Sequence, residues 1–322
     1  QIYFTIIMEK LRIVFMGTPE FAVGILDTII QNNYEVVGVI TAADKPAGRG
    51  QKLKYSAVKE YALAHNLTLL QPLNLKDADF LSELKALNAN LQIVVAFRML
   101  PKVVWEMPSL GTFNLHASLL PNYRGAAPIN WAIINGETKT GVTTFFIDDK
   151  IDTGAMILSS ETPIDETENA GQLHDRLMNL GSKTVIDTLE MIENGTVSTI
   201  IQKDTPNTKT AYKLNKENCK IDCTKSAEEI NNLIRGLSPY PAAWCIFGDK
   251  KEEWNVKIYE AKMISEDHNL MIGSLVCTKK EMKISVKDGF IQILHLQFPG
   301  KKKMSTSELL NGISFSEEVK VY

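Results

Sequence analysis

Short apolar runs, rich in branched residues, alternate with amphipathic stretches along the first two thirds of the chain. Such runs predict strands covered on both faces of a sheet, where apolar residues need not alternate with polar ones. Stretches in which apolar residues return every three or four positions predict helices packed on that sheet. The predicted strands are Leu11–Met16, Val36–Thr41, Leu91–Ala96, Leu110–His116 and Gly141–Asp148, and the predicted helices are one spanning Phe21 to Ile29, then Tyr55–His65, Ala78–Leu87 and Leu173–Ile192.

The first helix has a specific start signal. Gly17 ends the first strand, and Thr18 and Pro19 follow it. Threonine is a frequent N-cap and proline is favoured at the first helical position, so we predict a helix capped by Thr18 with Pro19 as its first residue. Strands that alternate with helices indicate an α/β domain with a Rossmann-like, mostly parallel sheet, and such sheets bind ligands at the carboxyl ends of their strands.

A different pattern follows the polar stretch Gln202–Thr210, whose composition is typical of a linker. One helix is predicted at Ala227–Leu237, and short strands separated by turns make up most of the rest, which suggests a small β-barrel. These strands are Ala243–Phe247, Val256–Lys262, Ser274–Cys277, Lys283–Val286 and Phe290–Gln297. We therefore predict a catalytic domain over residues 8–203, a linker over 204–213 and a C-terminal barrel over 214–322.

Composition restricts the class of protein. The 322 residues are 44% hydrophobic and 23% charged, as in ordinary soluble proteins of about two domains. No apolar run approaches the roughly 18 residues of a membrane-spanning helix, and Gln1–Ile7 lacks the basic start and cleavage site of a signal peptide. We expect a cytoplasmic protein with no membrane segment, and we take Met8 as its natural start.

The sequence contains no complete motif for a zinc site or for a dinucleotide-binding site. Cys219 and Cys223 are three residues apart, but no second close cysteine pair or histidine cluster accompanies them, so we expect reduced, buried thiols rather than a zinc site. The first turn, Gly17-Thr18-Pro19, lacks the glycines of a dinucleotide fingerprint, and Gly48-Arg49-Gly50 lacks the third glycine. The net charge of −3 gives no general attraction to nucleic acid, although residues 205–322 carry 18 basic and 15 acidic side chains.

Two polar side chains share one face of the strand that ends before Pro121. Asn114 and His116 are two positions apart, so they point to the same side at the ligand-binding end of the predicted sheet. A neutral imidazole can act as a base near pH 7, and an amide beside it can donate a hydrogen bond to a developing oxyanion. The alternative interpretation is a polar pair on an edge strand that is satisfied by its neighbours.

Asp152 is the third candidate. It follows the strand that ends near Ile147, and Gly154 permits a tight turn there. An aspartate can orient an imidazole and favour its protonated form. Because Asp148 and Asp149 lie close by, an exposed acidic loop is the better interpretation from spacing alone.

Two long motifs resemble the signatures of the folate-dependent formyltransferases. Asn114–Pro128 (NLHASLLPNYRGAAP) is similar to the first, Gly141–Gly154 (GVTTFFIDDKIDTG) is similar to the second, and the 36 positions from His116 to Asp152 fit the family pattern. The resemblance covers Lys10 to about Gly312. It implies that Asn114, His116 and Asp152 are catalytic, and that folate contacts come from Ser118, Leu119, Leu120, Pro121, Phe97 and Leu100. The segment Phe97-Arg98-Met99 departs from the Tyr-Gly of many members.

Within this superfamily the chain is most similar to the methionyl-tRNA formyltransferases. Gly17–Phe21 resembles their opening motif, Asp44–Leu53 their tRNA-recognition loop, and Pro299–Met304 a basic segment near their C-terminus, while the C-terminal region fits their OB-like barrel. Residues 45–59 contain five basic residues, the last of them Lys59, and no acid. The resemblance implies tRNA contacts from Lys45, Gly48, Arg49, Gly50, Lys52, Lys301, Lys302 and Lys303.

The expected activity is transfer of a formyl group from 10-formyltetrahydrofolate, a reduced folate, to the amino group of methionyl initiator tRNA, for translation initiation. We expect a cytoplasmic monomer that requires no metal, because proton transfer and electrostatic stabilisation suffice. Two alternatives remain open at this point. One is formylation of a nucleotide-linked amino sugar, and the other is a catalytically idle tRNA-binding protein.

Overall fold

The computed structural model describes residues 9–48 and 52–322, so Met8, Arg49 and Gly50 lie outside the described residues. The chain divides into two compact units, each built from three segments. The first unit runs up to Gly125 and also includes Gly141–Thr162 and His174–Thr210. The second unit consists of Ala126–Thr140, Pro163–Leu173 and Ala211–Tyr322.

Strands and helices are interspersed up to residue 211, and the strands predicted from the hydrophobic pattern are among them. The strands are β1 (Arg12–Gly17), β2 (Glu35–Ile40), β3 (Lys45–Ala47), β4 (Lys52–Lys54), β5 (Leu69–Leu70), β6 (Leu91–Val95), β7 (Thr112–His116), β8 (Arg124–Gly125), β9 (Lys139–Phe146), β10 (Met156–Pro163) and β11 (Thr210–Ala211). The helices are α1 (Glu20–Gln31), α2 (Ala57–Ala64), α3 (Ala78–Ala86), α4 (Lys102–Trp105), α5 (Pro128–Ile134) and α6 (Ala170–Glu193).

The first seven-stranded sheet has the order β10-β9-β7-β6-β1-β2-β5. Its central strands run parallel, since β1 pairs in parallel with β2 and β6, and β6 pairs in parallel with β7. Strand β9 joins β7 in the antiparallel sense. All five residues of β6 are buried, which explains the continuous apolar run of this strand: helices cover both faces of a parallel sheet.

The start of α1 differs from the prediction by one residue. Pro19, not Thr18, is the N-cap, and no side chain caps the helix. The backbone of Pro19 is extended, and its carbonyl accepts the first helical hydrogen bond, from Ala22 at 3.0 Å. Proline has no N–H to donate in either position, so it satisfies the requirements of the N-cap as easily as those of the first turn. The prediction of a Thr18 cap was therefore wrong.

The second unit contains an antiparallel barrel. The elements are α7 (Ala227–Leu237), β12 (Ala243–Gly248), β13 (Glu253–Ser265), β14 (Leu275–Cys277), β15 (Met282–Val286), β16 (Gly289–Gln297), β17 (Met304–Ser305), α8 (Thr306–Gly312) and β18 (Lys320–Val321). Its sheet has the order β14-β15-β16-β13-β12-β18, and β17 pairs with β16. A bridge between Ser274, next to β14, and Lys320 of β18 joins the two ends of this order, so the barrel is nearly closed. The predicted α/β fold followed by a small OB-like barrel is confirmed.

Three of the cysteines belong to the barrel core. Cys219, Cys223 and Cys245 are buried and free, and Cys277 is free and exposed. Burial raises the pKa of the Cys223 thiol to about 11, and it raises the pKa of Cys245 well above its usual value. These thiols are therefore protonated at neutral pH, which makes them poor nucleophiles.

None of the helices within residues 9–48 and 52–322 combines the length and the apolar character needed to cross a membrane.

Phe247 fills the centre of the barrel core, where its ring lies 5.6 Å from that of Phe298 and 6.0 Å from that of Phe315. We predict that Phe247→Ala lowers the free energy of unfolding of this unit by about 3–5 kcal/mol, because it leaves a cavity. Urea unfolding followed by tryptophan fluorescence measures this, since Trp131, Trp244 and Trp254 belong to the second unit. The control is Met271→Ala at a side chain that is 72% exposed; equal losses in the two variants would contradict the assigned core.

Candidate active site

Asn114 and His116 lie on β7, an interior strand between β6 and β9, and not on an edge strand. Asn114 is half-buried and stands opposite Phe145 of β9, while His116 is only 8% exposed and stands opposite Thr143. The side chain of Asn114 makes no hydrogen bond to any residue in the described part of the chain. Its amide is therefore available to donate to a ligand.

The imidazole of His116 is placed between two oxygen atoms. Nε2 lies 2.7 Å from the carbonyl oxygen of Tyr123, and Nδ1 lies 3.7 Å from a carboxylate oxygen of Asp152. A carbonyl oxygen only accepts hydrogen bonds, so Nε2 carries a proton and donates it. The structure thus brings together His116 and Asp152, which are 36 positions apart in the sequence.

Asp152 occupies a tight turn after β9. Its φ of 56° is in the left-handed region, which is uncommon for a residue other than glycine. The turn folds back closely, because a Cβ atom added at Gly154 would meet the carbonyl oxygen of Phe146. The Oδ2 atom of Asp152 accepts a hydrogen bond of 3.0 Å from the backbone N–H of Gly125. The same oxygen is the one nearest His116, so this bond fixes the carboxylate beside the imidazole.

Two further side chains hold Asp152 through its backbone carbonyl. Gln202 Nε2 donates to the carbonyl of Asp152 at 2.9 Å and to that of Gly154 at 2.8 Å. Arg124 Nε also lies near the Asp152 carbonyl, at 3.2 Å, and Arg124 donates to Gln202 Oε1 at 3.1 and 2.9 Å. A carboxylate of Asp204 pairs with Arg124 Nη1 at 2.7 Å. We call Arg124 and Gln202 the brace of the site.

The residues predicted to contact folate differ in their accessibility. Leu119, Pro121 and Phe97 are partly exposed, whereas Ser118, Leu120 and Leu100 are buried. The hydroxyl of Ser118 donates to the carbonyl of Asn122 at 2.7 Å, and the carbonyl of Ser118 accepts from Thr143 at 2.7 Å. The buried members therefore shape this segment, and the exposed members present surface to a ligand.

A cavity of about 670 Å³ opens beside Leu100. Met99 and Leu73 contribute apolar surface to it, and they are 60% and 84% exposed. Arg98, at the position where the chain departs from the family pattern, donates to the carbonyls of Pro72 and Leu73. These bonds hold the guanidinium at the cavity wall, so the departure adds a positive charge there.

The predicted tRNA-recognition loop forms a short hairpin of β3 and β4. Lys45 stands opposite Lys54, Ala47 stands opposite Lys52, and all three lysines are exposed. Gly48 has a φ of 73°, which glycine adopts without strain.

Lys59 does not belong to the exposed basic surface of this loop. Lys59 is buried, and its Nζ lies 2.6 Å from a carboxylate oxygen of Asp44. The same Nζ donates a hydrogen bond of 3.0 Å to Gln71 and lies over the ring of Tyr55. The hydrogen bond from Lys59 lowers the pKa of Asp44. Lys59, the last of the five basic residues of this segment, therefore adds no exposed positive charge, because Asp44 just before the segment neutralises it.

Lys301, Lys302 and Lys303 are exposed in the turn after β16. The Nζ atom of Lys303 lies 4.6 Å from the centroid of the Tyr259 ring. Gln297 donates to the carbonyl of Lys301 at 2.9 Å, which fixes the turn. The basic segment thus lies on the barrel surface, beside an aromatic side chain.

Two family models match the chain. A model described as formyl transferase covers residues 11–189, and one described as the C-terminal domain of formyl transferases covers residues 213–314. A protein of Flavobacterium johnsoniae named methionyl-tRNA formyltransferase is 80% identical over 315 residues, which are 98% of this chain and 100% of that protein. The chain belongs to the methionyl-tRNA formyltransferase family.

Other comparisons show how far the resemblance extends. A methionyl-tRNA formyltransferase of Bacteroides thetaiotaomicron is 53% identical over 318 residues, which are 97% of this formyltransferase chain and 99% of that protein. A solved structure of an N-formyltransferase from Helicobacter canadensis contains folinic acid and dTDP-3-aminofucose. It is 23% identical to this chain with a TM-score of 0.62, and the match covers 88% of this chain and 98% of the Helicobacter chain. That likeness shows a shared fold.

Sequence reasoning missed the brace of this formyltransferase. Arg124 lies inside the first signature motif, so the motif itself was a signal that this residue has a function. Gln202 lies in the polar stretch interpreted as a linker, and its residue type gives no sign of a contact with Asp152, 50 positions earlier. Only the folded chain brings Gln202 to the turn of Asp152.

We predict that Gln202→Leu lowers kcat for formyl transfer by about tenfold or more, with a smaller effect on the KM for tRNA. The change removes the Gln202 donor from the buried Gly154 carbonyl and one of the two donors from the Asp152 carbonyl, and it loosens the turn that positions Asp152. Steady-state kinetics separates the two constants. Gln292→Leu makes the same change at a half-buried position on β16 and serves as the control. A normal kcat in Gln202→Leu would show that the brace does not position Asp152.

Proposed function

We propose that this protein transfers the formyl group of 10-formyltetrahydrofolate to the amino group of methionyl initiator tRNA, which prepares that tRNA for translation initiation. The observation that carries the proposal is the cluster of Asn114, His116 and Asp152. In this cluster an imidazole lies between two acceptors and beside an unengaged amide. The relatives named methionyl-tRNA formyltransferase, at 80% and 53% identity over their full lengths, support the choice of acceptor.

The reaction requires a donor for a negative oxygen and a carrier for one proton. The neutral amine attacks the formyl carbon on N10 of the folate and forms a tetrahedral oxyanion. When this intermediate collapses, the C–N10 bond breaks, N10 gains a proton and the attacking nitrogen loses one. Asn114, whose side chain has no other hydrogen bond within the described residues, donates to the oxyanion. Loss of one such donor costs about 10²–10³ in rate.

His116 supplies the second donor and the proton path. Its Nε2–H, which bonds to the Tyr123 carbonyl in the structure, turns to the oxyanion when substrate is present. His116 and ordered water then carry the proton from the attacking amine to the leaving nitrogen. Asp152, held by the Gly125 N–H, stabilises the positive form of the imidazole.

We assign the folate donor to the surface formed by Leu119, Pro121 and Phe97, with buried Ser118, Leu120 and Leu100 supporting it. Leu100 also lines a cavity whose apolar side chains suit an aromatic ring system, but Leu119, Pro121 and Phe97 are not among the described residues that line it. Arg98 at its wall adds a charge that favours an anionic group of the ligand.

We assign tRNA contacts to the β3–β4 hairpin and to the barrel. Lys45 and Lys54 stand directly opposite each other, and like charges in this arrangement repel unless an anion lies between them. Phosphates of RNA would relieve that repulsion, and Lys52 adds a third charge. Gly48, Arg49 and Gly50 complete the loop by resemblance to the family, and Lys301–Lys303 would bind backbone phosphates.

The proposed setting is the cytoplasm, where aminoacylated tRNA is available, and the proposed active form is a monomer. A nucleotide-linked amino sugar is the competing acceptor. It is disfavoured because the solved structure that contains such a sugar is 23% identical and shares the fold alone.

The first experiment mixes the purified protein with 10-formyltetrahydrofolate and methionyl initiator tRNA and separates formylated from unformylated product. We expect formylation of the initiator, and little or none when elongator methionyl-tRNA replaces it. Transfer to a nucleotide-linked amino sugar but not to tRNA would keep the reaction and overturn the acceptor. No transfer to either amine would overturn the proposed function.

His116→Ala should reduce turnover by at least about a hundredfold while folate binding persists, because the change removes a donor and the proton carrier but leaves the folate surface intact. Single-turnover formylation and equilibrium folate binding are measured on the same preparation. His65→Ala, at an exposed histidine that ends α2, is the matched control. Turnover close to that of the control would remove His116 from the mechanism.

A further inference from the structure

The outer face of the barrel carries aromatic rings and lysines side by side. Alternate residues of β12 are buried, which turns Trp244 to the outside, where it stands opposite Lys257 of β13. Lys257 in turn stands opposite Gln297 of β16, and Gln297 Oε1 accepts a hydrogen bond of 2.9 Å from the Tyr259 hydroxyl. Lys303 covers the ring of Tyr259. The strip therefore joins the basic turn after β16 to Trp244.

A cavity of about 560 Å³ lies beside Trp244 at one end of this strip, and Tyr240 and Lys216 also line it. Tyr240 is 83% exposed, although a large aromatic ring is usually at least half covered. It lies between Pro239 and Pro241, whose rings restrict the backbone on both sides of it. Tyr240 is thus an open aromatic ring on a restricted backbone, and its faces are accessible for stacking.

The charge around this cavity is positive. The Nζ atoms of Lys216 and Lys220 lie 5.2 and 5.4 Å from the centroid of the Trp244 ring. Lys216 and Lys257 both line the cavity, and no carboxylate is among the described residues that line it. Within the described residues none of the three lysines forms an ion pair. Their charges are available to an anionic ligand.

An open aromatic ring with lysines around it matches the chemistry of an unpaired nucleotide. The ring stacks on the face of a base, and the ammonium groups bind the adjoining phosphates. Paired RNA hides the faces of its bases, so a double-helical segment would leave Tyr240 without a contact. An acidic peptide would use the lysines but has no need of an open ring.

We propose that Lys216, Tyr240, Trp244 and Lys257, which we call the barrel site, bind an unpaired nucleotide of the tRNA substrate. Its base stacks on Tyr240, and its phosphates are bound by Lys216, Lys220 and Lys257. Trp244 closes the inner wall, held by the hydrogen bond of 2.7 Å from its Nε1 to the carbonyl of Lys216. This inference rests on the proposed function, since it assumes that tRNA is the substrate.

The test is equilibrium binding of methionyl initiator tRNA to the full chain over a series of salt concentrations. Tyr240→Leu, which keeps apolar volume but removes the ring, should raise the Kd about tenfold, and Tyr240→Phe should restore tight binding. Lys216→Gln combined with Lys257→Gln should reduce the slope of log Kd against log salt by about 1.4, because each neutralised phosphate of a single strand accounts for about 0.7 of that slope. The KM for tRNA should rise in parallel with the Kd.

The control is Lys279→Gln combined with Lys280→Gln, at exposed lysines between β14 and β15. Tyr240→Leu that binds tRNA as the unchanged protein does, or a salt slope equal to that of the control, would overturn the barrel site. Formylation by the unchanged protein would leave the proposed function standing in that case. Failure of the unchanged protein to formylate methionyl-tRNA would instead remove the proposed function.

Discussion

The site depends on one short segment, Asn122–Gly125, which is hydrogen-bonded on both sides. The carbonyl of Tyr123 accepts from His116, and the N–H of Gly125 donates to Asp152. On its other side the N–H of Tyr123 donates to the carbonyl of Lys209 at 2.7 Å, and the carbonyl of Asn122 accepts from Ser118. A shift of this segment by even one ångström would therefore move both the imidazole and the carboxylate.

Holding this segment and its neighbour in place has an energetic cost. Tyr123 and Asp152 have φ values of 61° and 56°, a region that costs of order 1–3 kcal/mol for residues other than glycine. Such conformations persist only where surrounding contacts determine them, and the brace of Arg124 and Gln202 supplies those contacts at Asp152. In the proposed mechanism, the His116 Nε2–H exchanges the Tyr123 carbonyl for the oxyanion when the amine attacks. Asp152 remains beside Nδ1 during that exchange.

The sequence predicts the fold well where many residues express one pattern. The continuous apolar run of β6 and the helix Ala227–Leu237 were both confirmed, because burial on both faces and helical periodicity each leave a long signature. Single contacts leave no such signature. The neutralisation of Lys59 by Asp44 and the bonds of Gln202 to the turn of Asp152 join residues whose types alone do not indicate a partner. The hairpin of β3 and β4 was also missed, since three-residue strands that include a proline resemble a loop.

The fold does not determine which amine is formylated. A structure at 23% identity that contains dTDP-3-aminofucose has the same arrangement of chain, with a TM-score of 0.62. Under the proposed function, the choice of acceptor comes from surfaces outside the sheet that positions His116 and Asp152. The net charge of −3 excludes a general attraction to RNA, so recognition requires local concentrations of lysine. The opposed lysines of the β3–β4 hairpin and the lysines around Tyr240 and Trp244 are such concentrations, and each is paired with backbone or aromatic geometry that a nucleotide fits. Under the proposed function, a change of acceptor on this fold would therefore require changes at these surfaces.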